Sequence, residues 1–151
     1  MNTVQYLKDK VSKFIVPLGV TSHWKSWGVS EEKMIELDWW KSTSFDQVTF
    51  TSTPAQHFSG RHGLFNTSQT LWSSWVVQSA DVSFYFSGDS GYDVHYKQIG
   101  DKFGPIDLVF MDSGQYNVRW REVHNLPEEA VQASIDLKGR YLVPMGWGMF
   151  N

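Results

Sequence analysis

Three polar residues each stand directly after an apolar stretch: His57 in TPAQHFSGRHG, Asp89 in FSGDSGY and His124 in WREVHNLPEEA. A neutral imidazole and a carboxylate are both good ligands for zinc, manganese or iron. The glycines at 88 and 91 let the backbone around Asp89 approach a bound ion closely. The same residues also admit plain structural roles, in which His57 caps a loop and Asp89 closes a turn. With no cysteine in the chain, any metal here must use His, Asp or Glu, and thiolate nucleophiles and disulfides are excluded.

Other candidates are weaker. His62 lies five residues after His57, beside Arg61 and Gly63, and reads as a second ligand or as a solvated loop residue. His23 and His95 fall inside helical patterns, where surface or packing roles are expected. Asp38 precedes Trp39-Trp40 and would either hydrogen-bond a ligand or flank an aromatic pair in the core. Glu31-Glu32 and Glu128-Glu129 are adjacent pairs, which on a helix diverge by about 100° and cannot do paired acid–base work. The chain has no GxSxG, GxxxxGK or HExxH motif.

Ligands in α/β proteins gather in loops at strand ends, so the surrounding elements decide what these residues can do. Val4, Leu7 and Val11 form one apolar helical stripe over residues 3–13. A short strand at 14–16, stopped by Pro17 and Gly19, leads into a helix over 20–27. Strands follow at 34–37 and 47–53, and 71–78 pairs with 82–86 as a hairpin around Ser79-Ala80-Asp81. Beyond Gly91 the pattern becomes a helix at 94–103, a strand at 106–111, a helix at 128–137 with Pro127 at its first position, and a last strand at 141–143. Hairpins and crossover helices together specify an α/β class with a mixed sheet.

Composition narrows the function classes. Eight Trp, six Tyr and ten Phe make 16% of the 151 residues, too aromatic for a disordered segment. The formal charge of −3 gives no basic footprint for nucleic acid. No apolar run reaches the ~20 residues that span a bilayer, and residues 1–13 are polar rather than signal-like. The expectation is one soluble, cytoplasmic domain over residues 1–151.

Taken together, VPLGV (16–20), ELDWW (36–40), TSTPAQHFSGR (51–61), TLWSSWVV (70–77), FSGDSGY (86–92), IGDKFGPIDL (99–108) and PEEAVQA (127–133) resemble one family closely. It is that of the metallo-β-lactamase-fold metal-dependent hydrolases, in the branch of N-acylphosphatidylethanolamine-hydrolysing phospholipase D. The resemblance implies an αβ/βα sandwich of two similar halves with a dinuclear metal site, commonly zinc. It makes His57 a metal ligand, Asp89 the carboxylate that bridges two ions, and His124 a catalytic-site residue close to them. The chemistry would be attack of hydroxide on a phosphodiester or a lactone carbonyl.

Several departures qualify that reading. The family's HxHxDH motif is absent from the 151 residues, and Gly146, in PMGWGMF, stands where the family has a further ligand His. Leu126 stands before PEEA where relatives carry an Asn or Asp helix cap, with Asn125 one residue earlier. The chain therefore reads as roughly half of the sandwich, a truncated homologue inactive as a hydrolase on its own, with zinc left to a vestigial or incomplete site. Two alternatives stay open. One is a hydrolase completed by a partner chain or by a homodimer formed through a sheet face bearing Trp72, Trp75, Phe84 and Phe86. The other is a non-enzymatic module that binds a small molecule near Arg61, Trp120 and Arg121, unless Arg61, Arg119 and Arg121 are simply solvated charges.

Overall fold

The computed structural model describes residues 2–59, 69–114 and 117–147. The chain opens with helix α1 (Asn2–Leu7), strand β1 (Phe14–Pro17), helix α2 (Val20–Ser26) and strand β2 (Met34–Leu37). β1 and β2 pair in parallel as a small sheet. α1 is shorter than its stripe suggests: residues 8–10 form turns, and Val4, Leu7 and Val11 are only half-buried. Isolated helices of this length gain too little to persist without packing.

The larger sheet has six strands in sequence order: β3 (Ser42–Phe45), β4 (Val48–Thr53), β5 (Ser74–Gln78), β6 (Ser83–Phe86), β7 (Ile106–Asp112) and β8 (Gly139–Met145). β3 to β6 pair antiparallel, and β6, β7 and β8 pair in parallel. The hairpin of β5 and β6 is as the sequence predicts. β3 (STSF) lies outside the strands read from the sequence. Its pairing is local: the Ser42 and Thr51 hydroxyls meet at 2.9 Å, as do those of Ser44 and Thr49. A two-residue turn at Asp46-Gln47, with φ of 44° and 69°, closes the hairpin without the Asn-Gly signal such turns usually carry.

The parallel strands need crossovers, supplied by α3 (His95–Phe103) between β6 and β7 and α4 (Pro127–Asp136) between β7 and β8. Both helices pack on one sheet face. Val76, Tyr85, Val109 and Met111 from the strands meet Tyr96, Ile99, Ala130, Ala133 and Leu137, forming one buried cluster. Fully burying one such large side chain contributes about 1.5–3 kcal/mol.

The opposite face carries a row of residues that crosses every strand, Thr43, Phe50, Val77, Phe84, Leu108 and Tyr141, with Trp75, Phe86, Phe110 and Val143 as a second row. The small sheet approaches this face near the β3–β4 turn, leaving a cavity of about 550 Å³ lined by residues that include Phe14, Ile15, Phe45, Phe50, Trp75 and Val77. Toward β8 the face opens, and Phe86 is 43% and Tyr141 69% exposed. Trp72 lies ahead of β5 and packs edge-to-face on Trp39, so three of the four aromatic residues expected on the open face sit on its strands.

His95 shows what burial does to a titratable group in this fold. It lies in the first turn of α3, 5% exposed and tilted on the Tyr96 ring at 4.0 Å. Desolvation pushes its pKa down to about 4 from 6.5. The unfolded chain therefore binds a proton at this residue below pH 6.5 that the folded chain refuses until about pH 4. Stability is flat in this group above pH 6.5 and falls by roughly 3 kcal/mol between pH 6.5 and pH 4. Asp107, held down by the Ser83 backbone N–H, and Asp101, held down by Lys138, act only below their unfolded value of 3.8. Urea midpoints across pH 4 to 7.5 should fall more steeply for the wild type than for His95→Phe. Parallel curves would show that His95 keeps its ordinary pKa in the folded chain.

Candidate metal centre

β4, β6, β7 and β8 run in one direction, so their C-terminal ends lie along one edge of the sheet. Pro54 follows β4, has no N–H to extend the ladder, and the chain reaches His57 three residues later. Asp89 lies three residues beyond the end of β6, and Asp112 is the last residue of β7. The two exit loops are stitched together: Gln56 N–H donates to Ser90 Oγ at 2.9 Å, and Gly91 N–H donates to the Gln56 carbonyl at 2.9 Å. The segment after a short 3₁₀ turn at Val118–Trp120 brings in His124, whose N–H donates to the Trp120 carbonyl at 2.8 Å.

Each of His57, Asp89 and His124 offers one ligand atom, and these atoms lie within 4.8 Å of one another. The His57 and His124 ring centroids are 5.7 Å apart with the planes at 73°, and Phe58 stacks on His57 at 4.7 Å. His57 Nδ1 is 2.7 Å from the Phe58 carbonyl, which only accepts, so Nδ1 carries the proton and Nε2 the lone pair. His124 Nδ1 donates in the same way to Asp112 Oδ2 at 2.8 Å. Two imidazoles with fixed lone pairs and one carboxylate are a donor set that suits a zinc-type cation. Asp89 is exposed and the two histidines are half-buried, so the group faces solvent on one side.

Asp112 is the residue that reading the sequence missed. Its Oδ2 accepts from His124 and from Ser90 N–H at 3.1 Å, and its Oδ1 accepts from Gly114 N–H at 2.9 Å. The signal was present, because Asp112 ends the apolar run IDLVFM just as Asp89 follows FYFSG. Gly146 falls at the same edge, at φ 76°, where a Cβ would lie 3.5 Å from Asp112 Oδ1. The position without a ligand side chain is therefore beside the group.

His62 and Arg61 lie outside the described residues. His23 is exposed on α2, and His95 sits under the Asp89 loop with its Nε2 3.4 Å from Ser90 Oγ. Asp38 is exposed and accepts from Trp39 N–H at 2.7 Å, a local turn contact. Arg121 donates through Nε to Glu129, which is not the behaviour of a free surface charge. Leu126 has no capping oxygen, and the Glu129 carboxylate instead accepts from Leu126 N–H at 2.9 Å. Asn125 is not a displaced cap: fully buried, its Nδ2 donates to Tyr96 Oη and to the Asp112 carbonyl. A change at 125–126 that reads as a lost cap is therefore accommodated by a different end to the helix.

The family model for the beta-lactamase superfamily domain matches residues 1–147. An uncharacterized protein of Mycobacterium tuberculosis is 45% identical over 141 residues, covering 91% of this chain and 37% of that protein. The N-acyl-phosphatidylethanolamine-hydrolyzing phospholipase D 1 of Caenorhabditis elegans is 36% identical over 148 residues, covering 91% and 41% respectively. The chain thus spans less than half the length of these relatives. Among solved structures, the metallo hydrolase Igni18 from Ignicoccus hospitalis superposes with a TM-score of 0.75 at 17% identity, over 99% of this chain and 59% of that one. At that identity the likeness is one of fold.

Gly91 is where the Asp89 loop and the His124 segment press together. A Cβ there would lie 2.5 Å from the Glu122 carbonyl oxygen and 2.7 Å from that of Arg121. Both obstacles are backbone and cannot rotate away. Gly91→Ala should therefore lower stability by about 1–3 kcal/mol in urea denaturation. An unchanged midpoint would mean that the two segments are not in contact in solution.

Proposed function

We propose that this chain, which belongs to the beta-lactamase superfamily, holds one divalent cation, zinc in the first instance, through His57, Asp89 and His124. The observation that carries the reading is the convergence of the three ligand atoms within 4.8 Å. Three protein ligands are the number usual at a catalytic zinc site, one more than His57 and Asp89 provide. A cation held there supplies Lewis acidity to a substrate oxygen and to an attacking water. His57 and His124 bind through nitrogens whose tautomers are fixed by the Phe58 carbonyl and by Asp112, and Asp89 contributes negative charge at the solvent side. The substrate class favoured by the resemblance is a phosphodiester or a lactone.

The same ligand count limits the activity proposed. No HxHxDH motif occurs in the 151 residues, and Gly146 offers no donor. The 151 residues by themselves are therefore proposed to bind the cation without turning over substrate, and hydrolysis requires ligands that these residues do not contain. Metal content after equilibration with micromolar zinc or manganese, read by elemental mass spectrometry, should approach one ion per chain and fall well below it in His57→Ala and Asp89→Ala. Wild-type content far below one ion, or content indifferent to both substitutions, would overturn the site. Hydrolysis of a phosphodiester or lactone by the purified chain, abolished by His57→Ala, would overturn the limit.

A second reading concerns assembly. Phe86 on β6 and Tyr141 and Val143 on β8 are exposed on the open sheet face, with Phe110 of β7 between Phe86 and Val143, and exposed apolar patches of this kind mark interfaces. A homodimer through that face is supported by these residues, and a two-fold axis would make it self-complementary. Light scattering at tens of micromolar should give twice the chain mass, and Tyr141→Glu should return it to the monomer. A monomeric wild type would exclude this interface.

A further inference from the structure

We propose that Asp112 is a positioning residue, which orients the His124 ring so that its Nε2 lone pair serves the cation site; this rests on the site proposed above. Asp112 ends β7, with its side chain only 6% exposed. Three donors converge on its carboxylate: the Nδ1–H of His124, the N–H of Ser90 and the N–H of Gly114, at 2.8, 3.1 and 2.9 Å. The backbone donors belong to the two loops that flank the site, one of them adjoining Asp89. No Lys or Arg of the described residues forms an ion pair with Asp112. The carboxylate is thus held by dipoles and one imidazole, and its negative charge lies one ring away from the position the cation would take.

Asp112 itself is fixed from behind. Its N–H donates to Ser87 Oγ at 2.7 Å, and its carbonyl accepts from the buried Asn125 amide at 3.1 Å. The neighbouring residue in the chain from Asn125 is His124, so Asp112 holds this short segment by two side chains, the Asn125 amide at its carbonyl and the His124 ring at its carboxylate. A hydrogen bond from the far nitrogen of a ligand histidine to a carboxylate fixes the tautomer, orients the ring and raises ligand basicity. Removing such a partner costs about 10–100-fold in metal affinity. An Asn at 112 has the same shape but one acceptor oxygen, so it cannot serve His124, Ser90 and Gly114 together.

The deciding measurement is a long-range proton–nitrogen correlation spectrum of the ¹⁵N-labelled, metal-free chain, in mildly alkaline buffer where imidazoles are neutral. His124 should appear as the single tautomer protonated at Nδ1, assigned by its loss in His124→Gln. In Asp112→Asn that signal should broaden or divide between tautomers, and zinc affinity should fall about 10–100-fold while the circular dichroism spectrum is kept. In a His124→Gln background the same substitution should cost no further affinity, which a general loss of structure would not reproduce. A wild-type His124 protonated at Nε2, or an Asp112→Asn chain that binds zinc as tightly as wild type, would overturn the proposal. If Asp112→Asn does not fold, the wild-type tautomer alone decides. Should the wild type take up no zinc, the cation site falls, and the tautomer and its dependence on Asp112 still judge the positioning role.

Discussion

Parallel pairing of β6, β7 and β8 is the constraint from which the rest follows. Two parallel neighbours cannot be joined by a tight turn, so α3 and α4 must cross over, and crossovers of one hand in one direction put both helices on the same side of the sheet. That side becomes the core, with Tyr85, Tyr96, Ile99, Val109, Met111 and Leu137 completely buried. The same pairing sends the C-terminal ends of three strands to one edge, and two antiparallel steps bring β4 into line with them. Residues distant in the chain meet there because every strand that matters points the same way.

At that edge the electrostatics are unbalanced in a consistent direction. Asp89 and Asp112 bring two carboxylates to a cluster of two imidazoles, and the nearby arginine, Arg121, is committed to Glu129. Asp112 is stabilised by backbone N–H groups of Ser90 and Gly114, a means by which a protein holds a buried carboxylate, and among the described residues no Lys or Arg pairs with it. Such an arrangement favours positive charge from outside. It also links cation binding to fold, because the loops that carry the ligands are tied through Gln56, Ser90 and Gly91 rather than left to move independently.

The two faces of the large sheet differ for a related reason. One is closed by the crossover helices, while the other, among the described residues, meets the small β1–β2 sheet near the β3–β4 turn and is open toward β8. The rows of Phe, Trp, Val and Leu that cross it have the composition of a sandwich interior, not of a solvated surface. Phe84 and Phe110 already pack edge-to-face there at 6.2 Å. Relatives more than twice as long share the family, and an apolar second face is what a two-layer architecture requires.

Periodicity and punctuation determined much of the fold by themselves. Alternation over 47–53, the β-branched and aromatic content of 71–78 and 82–86, the helix stop at Gly104 and the helix start at Pro127 are local signals, and those elements stand close to where the pattern puts them, although β5 begins only at Ser74 and β1 runs through Pro17. The placement of His57 and Asp89 after apolar strands was legible too, since a side chain at a strand end is the one that can turn away from the core, whereas His124 follows the turn at Val118–Trp120 and no strand. What only the tertiary structure decided was pairing at a distance. β3 is held by hydroxyl contacts to Thr49 and Thr51 that no hydrophobic pattern announces. α1 ends early where its stripe is only half-buried. Asn125 proved to be a buried link between α3 and β7, not a displaced helix cap. Asp112 became part of the site because strand direction and two backbone N–H groups from separate loops hold it against His124, and hydrogen bonds between residues far apart in the chain leave no periodic trace in a sequence.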